Sequence, residues 1–76
     1  MSTYNGHKNW NYWNVSLWIN NDEGLYNLAR DFVRTCDNKR AAASAMLHYL
    51  HDENMYKTPD GARYSLSAVR AAMVGM

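Results

Sequence analysis

Several residue types are scarce in this chain, and each scarcity excludes something. One cysteine, Cys36, rules out an internal disulfide and fits a reducing compartment. No glycine-rich phosphate loop can be assembled from four scattered glycines. Neither charge sign dominates: eight Lys and Arg face seven Asp and Glu, a net charge of +1. That balance gives neither the strong field of a nucleic-acid binder nor the acidic surface of a DNA mimic. No apolar run is long enough to span a bilayer, and no signal-peptide core follows the polar N-terminus. The expectation is a soluble, cytosolic protein.

Aromatic residues are what the chain has in excess. Three tryptophans, six tyrosines and one phenylalanine occur in 76 residues. A chain this short buries only about 60% of its unfolded surface, so its stability is marginal unless something compensates. Large aromatics, each able to bury about 150–250 Å², are one compensation, and self-association is another. A hydrophobic content of 47% with both charge signs present reads as one globular domain, residues 1–76.

All three tryptophans fall between Asn9 and Asn21. Trp10, Trp13 and Leu17 share a helical face, although alternation would also permit a strand. Three asparagines, Asn9, Asn11 and Asn14, argue against a strand interior, and Asn9 or Asn11 offers an N-cap. Asn21 or Asp22 would cap a second helix. There Leu25, Leu28, Ala29, Phe32, Val33 and Cys36 recur at the spacing of one apolar stripe. Asp37-Asn38 supplies the next break, before a third helix over Lys39 to Asn54. Lys57-Thr58-Pro59-Asp60-Gly61 is a turn, because Pro pre-sets φ and Asp-Gly tolerates the left-handed conformation. Tyr56 and Arg63-Tyr64 would pair across it as a very short hairpin. Ser65 or Ser67 then caps a last helix that Gly75 ends. The predicted fold is all-α, a compact bundle of about four short helices. Its predicted core is Trp13, Leu17, Leu25, Leu28, Phe32, Met46, Tyr49, Leu50 and Val69.

Few residues suggest chemistry. His48, His51 and Asp52 have the spacing of helical metal ligands, yet a zinc ion would need a further ligand from elsewhere, and His7 adds little. Cys36 lies on the apolar stripe, where a cysteine is ordinarily a small core residue rather than a nucleophile. Asp22-Glu23 and Asp52-Glu53 fall at helix ends, where capping and solvation explain paired acids. The reading is therefore non-enzymatic, with no cofactor. Arg30, Arg34, Lys39 and Arg40 form a modest basic ridge that would let a nucleic-acid-binding module track phosphates, the alternative function.

Tyr4-Asn5-Gly6, Asn9, Trp13-Asn14-Val15, Leu17-Trp18-Ile19 and Asn21-Asp22-Glu23-Gly24-Leu25-Tyr26 carry a further signal. Together they resemble a family of small proteins scattered through phages, plasmids and other mobile elements. Its opening reads Tyr-Asn-Gly, Asn-Tyr-Glu-Thr-Trp, then a Val-Leu-Trp helix and Asn-Asp. The resemblance covers roughly the first third of the chain. It departs at His7, where tryptophan is common, and at Trp10-Asn11-Tyr12, where Tyr-Glu-Thr is usual. The resemblance implies a phage or mobile-element accessory protein that binds and blocks a host defence factor, with an anti-CRISPR acting on a Cas effector subunit as the expectation. Trp, Tyr and Arg dominate binding hot spots, so the expected contacts are Tyr4, Trp10, Tyr12, Trp18, Arg30 and Arg34. Asn9, Asn14, Asn21 and Asp22 would brace the aromatic helix rather than touch a ligand.

Overall fold

A computed structural model describes residues 9–76. Four helices follow one another: α1 (Trp10–Asn21), α2 (Glu23–Thr35), α3 (Lys39–Asp52) and α4 (Leu66–Ala72). The all-α bundle expected from the sequence is the fold observed. Each helix opens on a polar side chain accepting from a backbone N–H three residues on: Asn9 from Tyr12, Asp22 from Leu25, Asn38 from Ala41 and Ser65 from Ala68. These contacts satisfy donors that have no partner within the helix. Asp22 serves two helices at once. Its backbone N–H closes α1 on the Trp18 carbonyl at 3.0 Å, and its carboxylate opens α2. One extended residue therefore turns the corner between them.

The third helix stops at Asp52, two residues before the expected end. Asn54 takes φ +61°, Met55 N–H donates to the Leu50 carbonyl and Asn54 N–H to that of His51. This is the Schellman pattern, in which an asparagine in the left-handed region ends a helix and the next residue packs back. Met55 packs against the core cluster that contains Leu50. Lys57 and Arg63 then form an antiparallel bridge around a turn that Gly61 closes on the Thr58 carbonyl. The predicted hairpin is present.

The core is Val15 and Ile19 of α1, Ala29 of α2, Ala42, Ala43, Met46 and Leu50 of α3, and Ala68, Val69, Ala72 and Met73 at α4. Ala62 and Tyr64 add the hairpin to it. Two core expectations need correction. The buried face of α1 is Asn14, Val15 and Ile19, not the expected Trp13 and Leu17, which are half-buried. A helix apolar on most of its circumference carries no periodic signal to choose its inward face. α1 packs against both α4 and α2, and Val15 and Ile19 are its fully buried apolar side chains. Tyr49 is 39% exposed, although Met46 and Leu50 of the same helix are fully buried. Leu25, Leu28 and Phe32 are half-buried against the core.

Candidate binding groove

The asparagines of α1 reach far along the chain. Asn11 Oδ1 accepts from the Arg63 backbone N–H at 2.8 Å, and its Nδ2 donates to the Arg63 carbonyl at 3.0 Å. One side chain thus pairs with a backbone as a neighbouring strand would. Asn14, only 2% exposed, accepts from the Thr58 hydroxyl at 2.6 Å and donates to Asp60 Oδ2 at 2.9 Å. Thr58 Oγ1 in turn accepts from the Ala62 N–H. Trp18 Nε1 donates to the same Asp60 oxygen at 3.0 Å. Asn20 donates to the Ala72 carbonyl. The hairpin and the end of α4 are therefore clasped to α1 by four polar side chains.

Those bonds stabilise the ionised Asp60. The amide of Asn14 and then the indole of Trp18 hold its carboxyl below the ordinary aspartate value, against an opposing push from desolvation. Burial pushes the Tyr64 hydroxyl up, and the negative charge of Asp22 adds to that rise.

Clasping the hairpin leaves a groove of about 600 Å³ between it, α1, α2 and α3. Trp18, Tyr49 and Tyr64 are its aromatic walls, Leu25, Leu28 and Met55 its aliphatic surface, and Asp22 and Lys57 its charges. A largely apolar concavity with few polar groups is the ordinary form of a binding site. A second cleft of about 320 Å³ lies beside Tyr12, Lys39 and Arg70.

The expected contact residues are not one patch. Trp18 lines the groove and Tyr12 the second cleft. Trp10 is 41% exposed. Arg30 sits over the Tyr26 ring at 5.8 Å, and Arg34 is ion-paired with Asp31 at 2.7 Å. Tyr4 lies outside the described residues, as does His7. Sequence reasoning missed Tyr49 and Tyr64. The hairpin position of Tyr64 was legible, but its inward orientation was not.

Among the expected braces, Asn9 and Asp22 are caps and Asn14 clasps the hairpin, whereas Asn21 is exposed and its side chain makes no hydrogen bond among the described residues. His48 and His51 are exposed, and His51 stacks on Tyr56 with ring centroids 5.0 Å apart. Among the described residues, no three His, Cys, Asp or Glu are grouped to hold a metal ion. Cys36 is half-buried at the end of α2. No helix among the described residues is long and apolar enough to cross a membrane.

The chain belongs to a family of unknown function, DUF7249, whose model matches residues 1–76. No curated protein and no solved structure matches it.

Proposed function

We propose that this protein is a non-enzymatic phage-type inhibitor that seats part of a host defence protein in the groove, with a Cas effector subunit as the target. The observation that carries this reading is the groove itself. Trp18, the exposed Tyr49 and an edge of the largely buried Tyr64 line it from three different elements around an apolar floor, and tryptophan and tyrosine are residue types that dominate interface energetics. The resemblance of the opening third to mobile-element proteins supplies the biological setting. Arg34 neutralised by Asp31 and a net charge of only +1 weigh against the nucleic-acid alternative. Binding of that kind would weaken steeply with salt, so a low-salt anisotropy titration with no association removes it.

The test is a pull-down from a host lysate with mass spectrometry, paired with phage plaquing on CRISPR-active cells. The expected result is recovery of a Cas component and restored plaquing, both lost in Tyr49→Ala. Tyr49 is exposed, so this variant leaves the core intact. Recovery of no CRISPR or restriction component, with plaquing unchanged, refutes the inhibitor reading.

A further inference from the structure

The hairpin sets two cations against each other. Tyr64 N–H donates to the Tyr56 carbonyl at 3.0 Å, and Thr58 N–H to that of Ala62 at 2.8 Å. These bonds flank the antiparallel pair of Lys57 and Arg63. That pair is therefore of the non-hydrogen-bonded kind, which brings opposed side chains closest. Like charges directly opposite on one face destabilise a strand pair.

Lys57 and Arg63 line, with His51, Tyr56 and Tyr64, a cleft of about 330 Å³. It adjoins the groove and shares Lys57 and Tyr64 with it, but Trp18, Tyr49 and the aliphatic floor take no part. No acid lines it. Every Asp and Glu of the chain is among the described residues, and the ion pair formed there is Arg34–Asp31. Asp60, the acid in the turn between the two cations, is held instead by Asn14 and Trp18. Tyr56 is 53% exposed and lies against His51, with ring centroids 5.0 Å and planes 33° apart. The cleft thus combines unneutralised positive charge with a flat ring surface.

Charge and shape select the ligand. A carboxylate brings one negative charge, whereas a phosphate monoester carries about −1.5 to −2 at neutral pH and so matches two cations. Arginine grips phosphate oxygens in pairs, and lysine meets them as a point charge. An exposed aromatic ring accepts a nucleobase by stacking. A nucleic-acid strand would need a track of cations, and this cleft has one opposed pair. We infer that the cleft binds a nucleoside monophosphate, its phosphate between Lys57 and Arg63 and its base on Tyr56. This site goes beyond the inhibitor reading, and it is measured on the purified chain with no host protein present.

NMR titration of the full chain at low salt with adenosine monophosphate, inorganic phosphate and adenosine tests it. The expected result is saturable binding of the monophosphate with a Kd below about 1 mM, and about tenfold weaker binding of either fragment. Lys57→Gln and Arg63→Gln should each weaken the monophosphate about tenfold. Tyr56→Ala should weaken it too, while leaving the affinity for inorganic phosphate unchanged. All three side chains are exposed, and Arg63→Gln keeps the backbone bonds to Asn11. Because it also relieves the repulsion with Lys57, the unliganded Arg63→Gln variant should melt no lower than the parent, which a purely structural guanidinium would not allow. Absence of saturable binding up to about 10 mM monophosphate overturns the inference. So does binding that none of the three variants weakens, or equal affinity for the monophosphate and inorganic phosphate.

Discussion

Replacing Asn14 by alanine tests the link between the helical bundle and its hairpin. The side chain is buried, accepts from Thr58 Oγ1 at 2.6 Å and donates to Asp60 at 2.9 Å. Truncation strands the Thr58 hydroxyl, itself 4% exposed, without its acceptor. An unsatisfied buried polar group costs about 1–3 kcal/mol, and a lost hydrogen bond about 1 kcal/mol more. The Asp60 bond counts little, because that carboxylate is solvated. Better helix propensity of alanine offsets about 0.5 kcal/mol. The net loss is therefore about 1.5–3.5 kcal/mol, which lowers Tm by roughly 6–28 °C in a domain of this size. Thermal unfolding followed by circular dichroism reads this directly. Asn21→Ala, in the same helix but exposed and without a side-chain bond among the described residues, is the control and should stay within about 0.5 kcal/mol of the parent. A double-mutant cycle with Thr58→Val should show a coupling of about 1 kcal/mol or more. Coupling near zero, or an Asn14→Ala variant as stable as the control, would refute the reasoning.

Other perturbations have equally definite outcomes. Asp22→Ala removes the α2 cap and should cost about 1 kcal/mol in denaturant unfolding, with no change in the burial of α1. Gly61 holds φ +96°, so Gly61→Ala forces an L side chain into a disfavoured region and should cost about 1–2 kcal/mol. Nothing lies within 4 Å of the added Cβ, so a loss would report backbone strain and not a clash. The depressed pKa of Asp60 makes the hairpin clasp acid-sensitive. Its contribution is fully present above the unfolded value of 3.8 and is lost as pH falls through the lower folded value. An Asp60→Asn variant should be less stable at neutral pH, and its difference from the parent should narrow in acid. A gap that stays constant down to pH well below 3.8 would contradict that sign.

Local chemistry made much of this architecture legible in the sequence. A cap was readable at each break, as Asn9 or Asn11, Asn21 or Asp22, Asp37-Asn38 and Ser65 or Ser67, because such side chains can accept from a backbone N–H a few residues on; the structure selects Asn9, Asp22, Asn38 and Ser65. The turn at Pro59–Gly61 was readable for the same reason, since a fixed φ and a tolerated left-handed residue are properties of the residues themselves. α2 announced itself through its apolar period. Tertiary structure alone decided which face of α1 turns inward, because a helix with apolar groups nearly all round has no stripe to read. It also decided what the asparagines do: Asn11 and Asn14 meet partners 52, 46 and 44 residues distant. An amide side chain caps, clasps or faces water with equal chemical ease. Which it does depends on the backbone brought beside it, and only the docking of the hairpin on α1 supplies that backbone. The groove has the same origin: Trp18, Leu25, Tyr49 and Tyr64 lie on separate elements, and no spacing along the chain encodes their meeting.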